Sequence, residues 1–459
     1  MTEDITTQRF LFSKLLNKPL LVRFDERQGS SDGGAVLLKA ADGRLGLTER
    51  LADCLRDSRD PNKIVHEVEE LLRQRVFAIA CGYPDGNDAA RLAEDPVHKM
   101  LVGRDPLQGV ALASQPTLSR FENAVGRKEL LRLGQSLASA VIERHRQRLR
   151  GKARTITIDL DPTEDPTHGG QQLSFFNGYY DSWCYLPMLG FLSFNHEPEQ
   201  YLLAALLRPG NAPDKKGALA LLERLVPSLR QAFPRARLRV RLDAGFACPE
   251  LFDFLEGPAH AQYAVGLPKN KVLLRKARRL MSQARRLARQ TGQSAYVYGE
   301  FWYRAGTWPG KRRVIIKAEV LVYPGRQLKD NPRFVVTNLT HSPRWVYEKF
   351  YCQRGEIENR IKELHHGLEM DRTSCSSFLA NQFRLLLTAA AYTLMQEIRL
   401  QAARTSLARA QVQTLRERLF KLGARVVVSV RRIVIHLPAA FAFLRDWKHI
   451  ATRLAPDSG

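Results

Sequence analysis

Residues 153–161, ARTITIDLD, place Ile156, Ile158 and Leu160 at alternate positions with Thr157, Asp159 and Asp161 between them. A period of two gives two distinct faces only on an extended strand. Downstream, CYLPMLGFLSF supplies another apolar strand run and KKGALALLERLVPSLRQAF (215–233) an amphipathic helix. LRVRLDAGF (238–246) returns as a strand ending at Asp243 and Gly245, and YAVGLP (263–268) is a further short strand. Strands, helix and strand in that order predict an α/β core.

The flanks differ from this core. Residues 1 to about 150 carry apolar positions at helical spacing in VHEVEELLRQRVFAIACG and LLRLGQSLASAVIERHRQRL. Between them SQPTLSRFENAV (114–125) reads as a helix start, with Ser114 or Thr117 as the cap and Pro116 in the first turn. In a basic protein, Ser114, Gln115, Thr117, Ser119 and Arg120 would then face DNA from the second helix of a reading pair, although a plain capped core helix has the same signature. RKARRLMSQARRLARQ (275–290) predicts a very basic helix, 294–339 a β-rich aromatic block, and the chain beyond it is helical to about residue 410.

Lys and Arg number 71 against 47 Asp and Glu in 459 residues, a formal charge of +24. That excess attracts polyanions and releases counterions on meeting phosphate, which makes nucleic acid the leading partner, although ribosomal and membrane-surface proteins can be equally basic. A hydrophobic fraction of 44% excludes a disordered or fibrous chain. The six cysteines form no CxxC pair, the opening MTEDITTQRFLFSK has no apolar leader core, and the apolar stretch 426–444 is broken by Arg431, Arg432 and Pro438. A reduced, intracellular chain with no membrane span is expected, with 426–444 forming strands or core. No GxxxxGK[ST] motif occurs, so no nucleotide cofactor is expected.

Two aspartates at strand ends and a glutamate on a later helix are what a two-metal phosphoryl-transfer site requires, and Asp161, Asp243 and a glutamate of YCQRGEIENRIKELH (351–365) are the candidates. On an ideal α-helix, at about 100° per residue, Tyr351, Arg354, Glu358, Lys362 and His365 share a sector of about 80° beside the apolar stripe of Ile357, Ile361, Leu364 and Leu368. Glu356 and Glu363 point elsewhere, so Glu358 is the third carboxylate. Asp159 competes with Asp161 on the same strand face; Asp161 is preferred because it is nearer the strand end.

These residues resemble the DDE transposases of bacterial insertion sequences, in the cut-and-paste branch whose helix reads Y-x-x-R-x-x-x-E. SQPTLSRFEN, DLDPTEDPTHG, FFNGYYDSWCYLP, YCQRGEIENRIKE and DRTSCSSFLANQFRLLL are similar to insertion sequence family 1380 in particular. The resemblance implies an α/β fold with an RNase H-like catalytic core interrupted by a β-rich insertion, preceded by a helical DNA-binding region. The expected domains are 1–150 for binding the element ends, 151–268 for the first part of the core, 269–340 for the basic helix and insertion, 341–400 for the catalytic helix, and 401–459 for dimerisation or DNA contact. It further implies Asp161, Asp243 and Glu358 as ligands of two Mg²⁺ ions, with Mn²⁺ as a substitute. Tyr351, Arg354, Lys362 and His365 would contact the DNA backbone, and Trp302 or Trp308 would receive a flipped base. The implied partners are element ends, target DNA and a second copy of the chain, in the bacterial cytoplasm at the nucleoid. One position departs: His365 stands where the branch carries Lys, and a neutral imidazole is a weaker phosphate partner. A sequence-specific DNA-binding protein that has lost catalysis is therefore the alternative.

Overall fold

The computed structural model describes residues 7–9, 17, 18 and 20–455, so most of the opening segment read above for a leader lies outside the described residues. The chain divides into two compact units, one of 1–44, 57–121 and 397–459, the other of 45–56 and 122–396. The last residues thus group with the amino-terminal helices, while 127–148 group with the α/β part.

In the first unit, helix α1 (Val68–Ala80) begins at a capping box in which the Glu67 amide donates to Glu70 Oε2 at 3.0 Å. Its Leu71 and Ala78 pack with Ala89, Ala113 and Leu118. Leu118 lies on α2 (Gln115–Asn123), which follows Ser114 and carries Pro116 at its second position, as the sequence signature predicts. The late apolar stretch forms the antiparallel pair Ala424–Ser429 and Arg432–His436, with Gly29–Ser30 on the outer side of the former.

The second unit holds α3 (Arg127–Arg148) and is built on a nine-stranded mixed sheet. Its strands are β1 (Thr155–Pro162), β4 (Met188–Phe194), β5 (Tyr201–Leu206), β6 (Arg237–Leu242), β7 (Gln262–Leu267), β8 (Ala295–Tyr303), β9 (Arg312–Leu321) and β10 (Arg333–Thr337), with Lys329–Asp330 paired to β9. The small hairpin β2 (Phe175–Asn177) and β3 (Ser182–Tyr185) lies outside it, in the connection from β1 to β4. The order is β8-β9-β10-β7-β6-β1-β4-β5, with β1, β6 and β7 parallel and the others antiparallel to their neighbours. Helices α4 (Ala218–Ala232) and α5 (Pro249–Glu256) carry the chain from β5 to β6 and from β6 to β7. Leu222, Leu229, Leu251 and Phe252 of these helices are buried in one core with Ile156, Ile158, Val240 and Val265 of the sheet.

Two features depart from the sequence reading. β1 is buried along Thr155–Leu160, on its polar positions as well as its apolar ones, because a sheet with parallel neighbours is covered on both faces. The aromatic block expected as an insertion is continuous with the sheet, since β10 pairs with β7 and β9 with β10. It is preceded by α6 (Lys271–Thr291), whose Leu273, Ala277, Met281 and Ala284 are buried while Arg275, Lys276, Arg278, Arg279 and Arg286 are exposed.

Candidate active site

The sheet brings the two aspartates together. β1 and β6 are parallel with Asp159 opposite Arg241, so two residues further Asp161 and Asp243 leave adjacent strands side by side, at a strand spacing of about 4.8 Å. Asp243 ends its strand by capping the next turn, its Oδ1 accepting from the Gly245 amide at 2.9 Å. Asp159 is occupied elsewhere: it is fully buried and receives Arg241 at both oxygens, at 2.7 and 2.6 Å. Of the two aspartates on that strand face, Asp161 is the one at the open end.

The segment 346–367 does not follow one ideal α-helix. It runs as a π turn (Val346–Tyr351), a 3₁₀ turn (Cys352–Glu356), the α-helix α7 (Ile357–Lys362) and a second π turn (Glu363–Gly367). An underwound π turn and an overwound 3₁₀ turn rotate the chain in compensating directions. The apolar stripe therefore survives, with Ile357, Ile361, Leu364 and Leu368 all buried.

On the site side of this segment, Arg354 Nη1 donates to Asp161 Oδ1 at 2.8 Å. Burial, which would lower the pKa of Arg354, is outweighed by the charge of Asp161, with Asp243 and Asp159 adding to it, so its guanidinium is held more firmly charged. The Tyr351 hydroxyl lies against Gly266 of β7, where a Cβ would come within 2.7 Å of it and of the Ala244 backbone nitrogen. Burial pushes the Asp161 carboxyl up to about 7; Arg354 opposes this, and the charges of Asp243, Glu358 and Asp159 add to it. Asp243 is raised by burial in the same way, against Arg354. The remaining glutamates of the motif are engaged away from the aspartates: Glu363 is buried and accepts from the Tyr392 hydroxyl at 2.6 Å, and Glu356 accepts from Gln200 Nε2 at 3.2 Å. Glu358 is exposed beside them.

Three carboxylates whose mutual repulsion raises a pKa suit a hard divalent cation, which would relieve that repulsion through oxygen ligands. The donor set fits Mg²⁺ or Mn²⁺ chemically. Their oxygens are more spread than a closed three-ligand set; among the described residues, only Asp32, Cys81 and His98 bring such atoms within 4.8 Å of one another. That group is a buried proton network: Asp32 contacts His98 Nε2 at 2.9 Å and Lys421 Nζ at 2.8 Å, and burial pushes the Cys81 thiol up. An ammonium and a protonated thiol leave no place for a cation.

His365 Nε2 is 3.1 Å from Thr163 Oγ1, two residues beyond Asp161, and burial pushes its pKa down, so it is a neutral hydrogen-bonding group on the site side. Lys362 is exposed. Of the residues assigned to the end-reading helix, Ser114, Gln115 and Arg120 are exposed and Thr117 and Ser119 half-buried. Trp308 is 4% exposed, packed between Phe252 and Tyr303 with Arg312 over its ring, so it is a core residue and cannot receive a base. Trp302 is 62% exposed, but it lies on β8, four strands from β6, a separation of about 19 Å between the strands at the usual spacing.

Sequence reasoning missed Asp214, whose carboxylate occupies the space a Cβ on Gly245 would need and whose charge raises Asp243. Its loop is pinned by Arg208, which donates through Nη1 to the carbonyls of Pro213 and Asp214 at 3.1 and 2.7 Å and through Nε to that of Leu186 at 2.8 Å. The only sequence signal is the run Arg208-Pro209-Gly210, which reads as an ordinary turn.

Asp165, just beyond the site, is buried with Thr373 Oγ1 donating to both its oxygens at 3.1 and 3.0 Å. Burial pushes its carboxyl up to about 8 from an ordinary 3.8, with Asp371 adding to the rise. A carboxyl raised on folding favours the folded state below its unfolded value, and that advantage is lost as pH rises towards its folded value. Asp165→Asn, which cannot ionise, is therefore expected to melt above the wild type by a margin of at least a few degrees that widens from pH 5 to pH 8 and then stays constant. Melting curves across that range check it, and a margin independent of pH would count against a protonated Asp165.

The family model for transposase DDE domain group 1 matches residues 12–458. The cryo-EM structure of a piggyBac transposase synaptic complex with hairpin DNA is similar with a TM-score of 0.41 at 10% identity, covering 93% of this chain and 82% of that one. No curated protein matches the chain.

Proposed function

The chain belongs to the transposase DDE domain group 1 family, and from that premise we propose that it cuts DNA at the terminal inverted repeats of a bacterial insertion sequence of the family 1380 type and joins the freed 3′ ends to target DNA. One observation carries the proposal: Asp161 and Asp243 leave neighbouring parallel strands at one register, with Arg354 bonded to Asp161 and the charge of Glu358 felt there. The run β5-β4-β1-β6-β7, antiparallel and then parallel through helices, supports an RNase H-like core. Asp161, Asp243 and Glu358 would hold two Mg²⁺ ions, with Mn²⁺ as a substitute, which when bound activate the attacking oxygen and offset charge on the leaving oxygen.

The chain's own groups do the rest. Arg354 balances the carboxylates and is placed to turn from Asp161 to a backbone phosphate. Tyr351, Lys362 and the neutral His365 complete the side facing that backbone. The exposed cations of α6 supply sequence-independent attraction to DNA, and the 114–120 helix reads the element end. Both ends are cut by a homodimer on the DNA, at the nucleoid, with 401–459 contributing to dimerisation or DNA contact.

A catalytically silent DNA-binding protein is favoured by one observation, the neutral His365 in place of a cation. Excision of a marked element bearing this gene's own flanks, with wild type beside His365→Lys, separates the two. Excision by wild type is expected; end binding without excision, restored by His365→Lys, would establish the silent protein.

A further inference from the structure

The end of the sheet opposite the carboxylates carries the reverse charge. Strand β6 alternates arginine with apolar residues, so Arg237, Arg239 and Arg241 share one face. Arg241 is answered by both oxygens of Asp159. Arg239 donates to a neutral partner, Gln262 Oε1, at 3.1 Å, and its guanidinium lies over the Phe350 ring at 5.5 Å. Arg237, at the start of the strand, is exposed. Where β1 and β6 begin and β4 ends, Arg237 and Arg239 line a cavity of about 440 Å³ together with Lys152, Arg154, Asn195 and His196, and its lining holds no carboxylate. Glu197, in the turn after β4, is taken at both oxygens by Arg148, at 3.1 and 2.8 Å. Burial, with Arg237 and Arg241 beside it, pushes the pKa of Arg239 down. Cations held against their own repulsion in this way would be relieved by an anion, as the carboxylates at the other end would be by a metal ion.

The donors define the ligand. Arginine and lysine side chains converging on one cavity suit phosphate. The amides that would cradle a terminal phosphate are already taken: those of Arg154 and Thr155 donate to Asn195 Oδ1 at 2.8 and 3.3 Å, that of Arg237 to the Arg154 carbonyl at 2.9 Å, and that of Asn195 to the Thr155 carbonyl at 2.9 Å. What remains is a rim of long, exposed side chains, Lys152, Arg154, His196 and Arg237, which matches the phosphate of a continuous DNA backbone. Thr155 and Asp161 stand at opposite ends of β1, about 20 Å apart at the usual rise per residue, so a phosphate held here is not the one at the carboxylates. We propose that this cavity grips a backbone phosphate of the bound DNA at a second point, away from the bond being cut. The proposal rests on the transposase reading and adds to it a contact that fixes the path of the DNA.

The test uses the full chain and a duplex carrying the inverted repeat that flanks this gene. The triple variant Lys152→Gln, Arg154→Gln, Arg237→Gln removes three exposed cations, and an unchanged melting temperature checks the fold; Arg237→Gln alone serves if the triple variant melts early. In ethylation interference the wild type is expected to lose binding when either of two sets of phosphates is ethylated, one around the cut position and one apart from it. The variant becomes indifferent to the second set alone. Its plot of log affinity against log salt is shallower by about one to two, the mark of that many lost phosphate contacts. A shallower plot with the wild-type interference pattern means general charge only and overturns the proposal, as does a variant that binds like the wild type. Pyrophosphate is the second probe. If it raises the melting temperature of the wild type and not of the variant while the two interference patterns agree, the cavity takes a free anion and the backbone assignment falls. Failure of the wild type to bind the duplex at all counts against the transposase reading and removes the proposal with it.

Discussion

Glu358→Gln is expected to lower DNA strand cleavage by about a thousandfold or more while leaving binding to an element-end duplex within a few-fold of wild type. The substitution keeps the shape of the side chain and removes one of the charges felt by Asp161. A carboxylate that holds a catalytic cation is worth several kcal/mol of transition-state stabilisation, which converts to that rate. Glu358 is exposed, so the fold should not register its loss. A second readout follows: Mg²⁺ should raise the melting temperature of the wild type and not of the variant, since a ligand stabilises only what binds it. Glu363→Gln is the internal control, because Glu363 is buried against Tyr392 and its change should act on stability instead. Cleavage that survives Glu358→Gln would dismiss the carboxylate triad as drawn.

Arg241→Met is expected to cost about 3–5 kcal/mol of stability, a large part of the roughly 5–15 kcal/mol that holds a domain folded. The substitution keeps most of the side-chain volume and abandons Asp159, a fully buried carboxylate whose two oxygens now receive Arg241. Arg241 Nη1 also donates to the Phe350 carbonyl at 3.2 Å, tying β6 to the segment that carries Arg354 and Glu358. Adding Asp159→Leu should restore most of the loss, because a buried ion pair replaced by apolar side chains is close to neutral, whereas half of one is not. Denaturant midpoints of the three proteins decide the matter. If Arg241→Met unfolds at the wild-type concentration, the pair contributes nothing to the fold.

Much of the site can be read along the chain because its residues stand at the ends of periodic elements. The period-two run ending at Asp161, the strand ending at Asp243 and the apolar stripe beside Glu358 each report local geometry, and local geometry is what side-chain spacing encodes. The helix start after Ser114 and the α/β order were legible for the same reason. The shape of the segment 346–367 was not, since π and 3₁₀ turns arise where tertiary packing competes with regular helix hydrogen bonds.

Position along the strand favours Asp161 over Asp159, and the sheet adds the reason: the register of β6 places Arg241 against both oxygens of Asp159, while Asp161 at the strand end takes Arg354. Trp308 and Trp302 belong to one aromatic block in sequence, yet one is core and the other surface, because burial depends on what packs across the sheet and not on residue type. Asp214 reaches the site from a loop, whose path follows from a distant anchor, Arg208. The sequence by itself determined the chemistry available, three carboxylates and an arginine in a strongly basic chain. Tertiary structure alone decided which charges are paired and which stay open, because pairing depends on partners brought together from far apart in the chain.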